Sequence, residues 1–356
     1  MIHTVHDQVL RFINDRATAA FESLALAVFA HQFESIPVYR RFCEQRGQTP
    51  STVHDWREIP PVPTLAFKHL ELRCGPSERT FVTTGTTQGT EHRGRHAMPD
   101  LRLYHAAAVA GLKEFVFPDV DAIRILSLIP SAAARPESSL GQMVDWAVED
   151  FGCAGSGFYA EAAQVDVTGF IEALRCSERE GTPVCIMTTT GTLLGFLHRS
   201  REAGWSFRLP HGSRLMDSGG SKGGPRPMSR NGLMQAVWSI LAIPSYFVVN
   251  EYGMTELSSQ YYDNVIRDRY RGYPSHRAKV GPHWLRPIIV DPATLCEVLP
   301  GTRGLLTHVD LANAGTAVAV LTEDVGCASR DGLELIGRAK GAEARGCSLA
   351  LADFAT

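Results

Sequence analysis

Thr83-Thr84-Gly85-Thr86-Thr87-Gln88-Gly89-Thr90-Glu91-His92-Arg93, preceded by the apolar pair Phe81-Val82, is the segment around which the rest of the chain can be organised. Phe81-Val82 can end a strand, and the residues after it are largely threonine and glycine. Each hydroxyl can donate a hydrogen bond, and each glycine lets the main chain come close to a ligand, so an uncharged loop of this kind can wrap a polyphosphate. The same composition also makes an ordinary surface turn. What separates the two readings is whether the rest of the chain supplies partners for a phosphate.

The 356 residues are 44% hydrophobic and 21% charged, a globular composition with length for two domains or one large layered one. A formal net charge of −3 gives no electrostatic reason to expect nucleic acid as a partner. No uncharged apolar run reaches the roughly 18 residues of a membrane span. The start, Met1-Ile2-His3-Thr4-Val5-His6-Asp7, lacks the order of a signal peptide. The expectation is a cytoplasmic protein without a membrane span. Cys43, Cys74, Cys153, Cys176, Cys185, Cys296, Cys327 and Cys347 form no C-x-x-C pair and have no paired-histidine partner, which disfavours zinc. Most of them are expected to be small core hydrophobes.

Along the chain, residues 5–47 carry apolar side chains at helical spacing, interrupted at Ile36-Pro37. Ile59-Pro60-Pro61-Val62-Pro63-Thr64 is too rich in proline for a helix and reads as an extended connector. Beyond the Thr/Gly stretch, helices are expected over 101–117, 139–151, 167–179 and 231–241, with another beginning within 193–198. Strands are expected at 122–129, 183–187, 209–216 and 246–250. Helices alternating with strands predict an α/β fold of layered, largely parallel sheets with flanking helices. From residue 280 the texture changes to short apolar runs broken by turn residues, which predicts a small β-rich subdomain. The expected division is an N-terminal helical segment (1–58), an α/β core (59–279), the β-rich subdomain (280–337) and a short C-terminal tail (338–356).

Three further motifs can serve a phosphate. The strand ending near residue 250 runs into Asn250-Glu251-Tyr252-Gly253-Met254-Thr255-Glu256, and the carboxyl ends of strands are where α/β sheets present ligands. There Glu256 can hold Mg²⁺ against phosphate oxygens, Thr255 can donate to phosphate, and Tyr252 can stack on a ring. Thr255-Glu256 also reads as a helix start. Asp324, in Leu321-Thr322-Glu323-Asp324-Val325-Gly326, reads as a turn residue or as an acceptor for ribose hydroxyls. Arg338, in Leu335-Ile336-Gly337-Arg338, leaves a strand beside glycine and can neutralise phosphate.

Taken in order, Thr83 to Glu91, Tyr252-Gly253-Met254-Thr255-Glu256, Thr322-Glu323-Asp324-Val325-Gly326 and Gly337-Arg338 resemble the motif series of the adenylate-forming superfamily, which includes acyl-CoA synthetases, adenylation domains and firefly-type luciferases. Within it, Glu251-Tyr252-Gly253-Met254-Thr255-Glu256-Leu257, Gly281-Pro282-His283-Trp284-Leu285-Arg286 and Gly341-Ala342-Glu343-Ala344-Arg345-Gly346-Cys347-Ser348-Leu349 resemble the LuxE-like acyl-protein synthetases, over most of the chain from about Ile59. The resemblance implies the fold of the large N-terminal domain of those enzymes, with ATP and Mg²⁺ as cofactors. It places Thr83, Thr84, Gly85, Thr86, Thr87 and Gly89 over the β- and γ-phosphates, Thr255 and Glu256 at the α-phosphate and metal, Asp324 on the ribose, and Arg338 near the nucleotide. Ser218-Gly219-Gly220 corresponds in order to the loop flanking adenine and the acid carboxylate, and Tyr252 and Gly253 complete the nucleotide set.

Two departures qualify the resemblance. The lysine that usually follows the phosphate loop is missing, and Glu91-His92-Arg93 stands there, so Arg93 or Arg95 is the expected substitute. The family's mobile C-terminal domain, with its catalytic lysine, is expected to be absent or reduced to a tail. Attention then falls on Cys347, flanked by Gly346 and by Arg345, which favours thiolate. In LuxE-like enzymes a cysteine of the C-terminal segment accepts the acyl group, and Cys347 looks like that residue; a tail cysteine packed on the core is the other reading. His283 and Arg286 are given a supporting role.

The implied chemistry is activation of a carboxylic acid, foremost a fatty acid, to acyl-AMP, followed by transfer to a thiol. Partners are the acid and an acyl-accepting reductase, CoA or carrier protein. The alternatives are a stand-alone aryl or acyl adenylating ligase and a catalytically silent nucleotide-binding scaffold subunit. Trp205, Phe207, Tyr246 and Phe247 either line the acid pocket or pack the core.

Overall fold

The computed structural model describes residues 2–83, 93–162, 164–220 and 228–339. In chain order the helices are α1 (Ile2–Asn14), α2 (Phe21–Ser35), α3 (Pro37–Gln45), α4 (Leu101–Phe115), α5 (Ser139–Phe151), α6 (Val167–Glu180), α7 (Thr190–Ala203), α8 (Arg230–Leu241) and α9 (Val265–Tyr270). The strands are β1 (Val62–Pro63), β2 (Arg79–Val82), β3 (Arg95–Met98), β4 (Arg124–Ser127), β5 (Gly157–Phe158), β6 (Ala160–Glu161), β7 (Gln164–Val165), β8 (Val184–Thr189), β9 (Arg214–Ser218), β10 (Val248–Tyr252), β11 (Tyr261–Asp263), β12 (Lys279–Val280), β13 (Leu285–Val290), β14 (Gly304–Asp310), β15 (Ala319–Ser329) and β16 (Gly332–Arg338). They fall into two compact units, one of Met1–Ala110, Met254–Gln260 and Ala278–Thr356, the other of Gly111–Gly253 and Tyr261–Arg277.

The first unit joins N-terminal helices to an antiparallel sheet. Strands β13, β14, β15, β16 and β12 lie side by side in that order, and β1 adds to β15 in parallel through Val62↔Val320 and Pro63↔Leu321. Proline is tolerated in β1 because the strand is two residues long and its ladder is short. Strand β14 is buried along its whole length, which its run of Leu305, Leu306 and Val309 permits. Gln32 of α2, fully buried, donates to the carbonyls of Asn313 (2.9 Å) and Ala314 (3.0 Å) and accepts from Val318 N (3.0 Å). One polar side chain thus pins the helical layer to the sheet without leaving its own groups unpaired. The helix break read at Ile36-Pro37 is present, with Ile36 ending α2 and Pro37 opening α3.

The second unit is built on a largely parallel sheet. Strands β5, β4, β8, β9 and β10 pair in parallel in that order, and β11 adds antiparallel to β10. Strand β8, Val-Cys-Ile-Met-Thr-Thr, is buried along nearly all its length, as a central parallel strand must be. Helices α5, α6, α7 and α8 start on side-chain caps: Ser138, Asp166, Thr189 and Ser229 each accept from a backbone N–H of the first turn. Gly181 and Gly204 end α6 and α7 in the left-handed region.

The fold is therefore mixed α/β with a largely parallel sheet and a β-rich part, as the sequence pattern predicts. Local readings need correction. Helix α7 begins at Thr190, because Thr189 caps it, and β9 begins at Arg214 after the turn at Gly212. Asp324 lies within β15, not in a turn, because β16 continues the ladder past it. Of the cysteines, Cys43 and Cys185 are buried, whereas Cys153 and Cys296 are exposed. Burial pushes the Cys43, Cys74 and Cys185 thiols up to about 12, so they are poor nucleophiles. No helix among the described residues is long and apolar enough to cross a membrane.

Candidate functional site

In the first unit, β2 and β3 form a hairpin with Phe81 opposite His96 and Val82 opposite Arg95. The ladder runs one pair further: Thr83 N donates to Gly94 O (2.9 Å) and Gly94 N donates to Thr83 Oγ1 (2.9 Å). Arg93 Nε donates to Thr83 O. Thr83 and Gly94 thus close the base of the Thr/Gly stretch, whose Thr84, Gly85, Thr86, Thr87 and Gly89 lie outside the described residues. Arg95 is exposed.

Beyond β10 the chain makes a turn, in which Leu257 N donates to Met254 O, and leads to β11 with no helix between them; the helix-start reading of Thr255-Glu256 is thereby corrected. The turn is held by buried groups. Asn313 Nδ2 donates to Glu256 O (2.9 Å), and Ser258 N donates to Asp310 Oδ2 (3.0 Å) and Asn313 Oδ1 (2.9 Å). Ser259 Oγ donates to Asp310 Oδ1 (2.7 Å) and accepts from Trp284 Nε1 (2.9 Å). Burial raises the Asp310 carboxyl to about 6 against these donors. From the hairpin, His96 Nδ1 meets Thr255 O at 2.7 Å and Nε2 meets Thr316 Oγ1 at 2.8 Å. Burial lowers His96 to about 4, so the ring is neutral at neutral pH.

Glu256 is 9% exposed. Burial raises its carboxyl to about 7, opposed by its own backbone N–H and by Arg338 and Lys68, and assisted by the Asp324 charge. Among the described residues no side-chain donor reaches it. A Cβ added at Gly94 would stand 3.4 Å from Glu256 Oε1 and 3.1 Å from Thr83 Cγ2, so the hairpin base passes against this carboxylate with little room for a side chain. Asp324 and Arg338 face each other across β15 and β16, with Arg338 Nε 3.5 Å from Asp324 Oδ1. The first unit therefore brings together Thr83, Arg93, Thr255, Glu256, Asp324 and Arg338, drawn from segments up to 255 positions apart in the chain.

The second unit carries Ser218, Gly219, Gly220, Tyr252 and Gly253. Ser218 ends β9 opposite Glu251 of β10, and Tyr252 ends β10, so both lie at the carboxyl edge of the parallel sheet. Gly219 adopts φ +91°, the left-handed region that glycine tolerates. Thr190 Oγ1 and Asn250 Nδ2 each donate to Gly219 O at 2.9 Å. The same two side chains reach the fully buried Asp217, which also accepts from Arg230 Nη1 at 3.1 Å. Arg230 Nη2 continues to Asp263 Oδ2 (3.0 Å). A network of charged and neutral partners thus holds the glycine turn in shape.

Sequence reasoning gave no role to His96 and Asp310, which stand in no motif, or to Asp217, whose place directly before Ser218-Gly219-Gly220 was the available signal. His283 and Arg286 bind the N-terminal helices. His283 Nε2 donates to Phe12 O (2.6 Å), and Arg286 pairs with Glu22 Oε1 (2.6 Å) and stacks on Phe21 at 4.0 Å. Phe207 is buried under Arg175 at 4.3 Å and beside Phe196, and buried Phe247 packs on half-buried Tyr246 at 5.1 Å, so core packing accounts for Phe207 and Phe247. Cys347 lies outside the described residues. Among the described residues no three His, Cys, Asp or Glu side chains are grouped to hold a metal.

A family model described as "Acyl-protein synthetase, LuxE" matches residues 4–356. Among solved structures, 2-hydroxyisobutyryl-CoA ligase with 2-HIB-AMP and CoA in the thioesterification state aligns with a TM-score of 0.64 at 15% identity, covering 89% of this chain and 68% of that chain. The open conformation of the same ligase aligns with a TM-score of 0.63 at 14% identity, covering 89% and 69%. The ATP-bound RpMatB-BxBclM chimera B3 aligns with a TM-score of 0.50 at 15% identity, covering 74% of this chain and 49% of that one. At such identities the likeness establishes the fold, that of adenylate-forming ligases. No curated protein matches the chain significantly.

Proposed function

The chain belongs to the LuxE acyl-protein synthetase family of AMP-forming ligases, and from that premise we propose that it activates a fatty acid with ATP and passes the acyl group to a thiol. The observation that carries this reading is Glu256, a buried acid with no side-chain donor among the described residues, held against the base of the Thr/Gly hairpin by Gly94.

Glu256 suits Mg²⁺, because a hard oxygen ligand raised to about 7 regains its charge when a divalent cation replaces the proton. Held by Glu256, the ion would supply charge neutralisation at the phosphate oxygens. The chain's own groups do the positioning. Thr83 and Arg93 tie the loop base, so that Thr84, Gly85, Thr86, Thr87 and Gly89 close on the β- and γ-phosphates. Thr255 donates to the α-phosphate, Asp324 accepts from the ribose hydroxyls, and Arg338 orients Asp324 and neutralises charge near the nucleotide. Ser218, Gly219, Gly220, Tyr252 and Gly253 contact adenine and the acid carboxylate.

A carboxylate oxygen attacks the α-phosphorus, the bond to the β-phosphate bridging oxygen breaks, and pyrophosphate leaves with the electron pair. The Cys347 thiolate then attacks the acyl carbonyl, and AMP leaves. Hydroxide, a poor leaving group, has been exchanged for AMP, a good one. The thioester on Cys347 would await a reductase; CoA and a carrier-protein thiol are the competing acceptors.

ATP–pyrophosphate exchange across a panel of fatty and aryl acids tests the first step, and silence across the panel from folded protein would refute it. Radiolabelled acid should leave a hydroxylamine-sensitive label on the protein. Cys347→Ser should abolish that label and spare exchange; a label that persists removes Cys347 as the acceptor.

A further inference from the structure

Glu256 has a cationic neighbour that no motif announces. Lys68 ends the short 3-10 helix Thr64–Lys68, directly after β1. The parallel register of β1 with Val320 and Leu321 brings this segment beside β15, three residues before Asp324. Phe67 is buried and meets the His96 ring edge-on at 5.6 Å, and His96 in turn holds the Thr255 carbonyl. Lys68 therefore follows a residue packed on His96, the ring that holds the Thr255 carbonyl. Its own side chain is half-buried and, among the described residues, makes no hydrogen bond or ion pair. Its charge acts on the Glu256 carboxyl, so an anionic ligand bound at this turn would meet it as well.

We propose that Lys68 is the cation that meets the phosphate oxygens of ATP, in place of the lysine missing after the Thr/Gly stretch. The inference rests on the adenylate-forming reading of this site. The other basic residues fit the role less well. Arg93 is tied through Nε to Thr83 O, Arg95 is exposed, and Arg338 is paired with Asp324. A compact ammonium on a flexible stem also suits a phosphate whose charge shifts as pyrophosphate departs. Lys68 makes and breaks no covalent bond.

The test compares the parent protein with Lys68→Met and Lys68→Arg in two assays. The first titrates ATP, pyrophosphate and adenosine in the presence of Mg²⁺ by calorimetry. The second is ATP–pyrophosphate exchange. Lys68→Met should weaken ATP and pyrophosphate tenfold or more while leaving adenosine within about twofold, and Lys68→Arg should recover most of the loss. Unchanged ATP and pyrophosphate affinity in folded Lys68→Met overturns the proposal. So does an equal loss for adenosine, which would mark a structural role. A parent that binds ATP but exchanges with no acid sinks the ligase reading, and the phosphate selectivity of the two variants then decides Lys68 by itself. A parent that binds neither ATP nor pyrophosphate overturns both.

Discussion

His96 Nδ1 lies 2.7 Å from the carbonyl oxygen of Thr255, so the strand returning from the Thr/Gly stretch is hydrogen-bonded to the turn that carries Glu256. A carbonyl only accepts, which assigns the proton to Nδ1 and leaves Nε2 to accept from Thr316 Oγ1 at 2.8 Å. The base of the Thr/Gly hairpin and the turn that carries Glu256 are thereby fixed to each other by one neutral ring.

Replacing that ring should separate its two duties. His96→Ala removes the partner of two buried polar groups and should cost about 1–3 kcal/mol, with a raised KM for ATP; His96→Gln should restore part of both. The pH dependence has a definite sign. The ring's pKa is about 4 in the native state, against about 6.5 unfolded, so the unfolded chain binds the extra proton between these values. Stability from the neutral ring is complete above pH 6.5 and is lost as pH falls toward 4. Urea titrations from pH 7 to 4.5 should show the stability gap between parent and His96→Gln narrowing; a constant gap would count against a buried neutral ring.

Glu256 has the opposite sign. Its native carboxyl titrates at about 7, above the unfolded value, so the native state keeps a proton that the unfolded chain gives up. The associated stability is present below pH 4.5 and is lost as pH rises through 7, on the order of 3 kcal/mol in all. Without ligand, Glu256→Gln should be more stable than the parent at pH 8, with the difference vanishing toward pH 4.5. Exchange in the same variant should fall at least a hundredfold, and the parent's exchange should decline as pH drops below 7 because protons compete with the cation. A variant with near-parental exchange would remove Glu256 from the site.

Gly94→Ala isolates the approach of the hairpin to Glu256. The added methyl sits 3.1 Å from Thr83 Cγ2 and 3.4 Å from Glu256 Oε1, so its neighbours must move by a few tenths of an ångström. Stability should change by less than about 1 kcal/mol, since the unfolded chain also loses freedom. The KM for ATP should rise several-fold, and an unchanged KM would mean that this close passage is not used.

Asp310 is the buried anchor of the turn, accepting from Ser258 N, Ser259 Oγ and Ala312 N at 3.0, 2.7 and 3.0 Å. Asp310→Ala strands these donors and should cost about 3–5 kcal/mol in denaturant melts, whereas Asp310→Asn should cost clearly less. Equal losses would show that charge, and not donor satisfaction, is what the site needs.

The alternation of helices with strands, the β-rich texture after residue 280 and the break at Pro37 are legible in the sequence because each is a local pattern. Periodicity decides which face can be buried, and proline decides where a helix cannot continue. The motif order from Thr83 through Glu256 and Asp324 to Arg338 is legible too, since glycine, hydroxyl and carboxylate side chains at strand ends carry a chemistry wherever they fall. Asp324 reads as a turn residue and lies in a strand for the converse reason: strand pairing with β16 is decided by a partner, and no local signal reports it.

Local pattern therefore supplied the inventory: an α/β chain with threonine, glycine, carboxylate and arginine motifs in a fixed order. Folding decided which of these residues meet and in what state of charge. His96, Lys68 and Asp310 carry no motif, and their roles arise from segments far apart in the chain folding against one turn. The reason is physical. Burial and neighbouring charges set Glu256 near 7 and keep His96 neutral, and both depend on distances through space, which spacing along the chain does not encode.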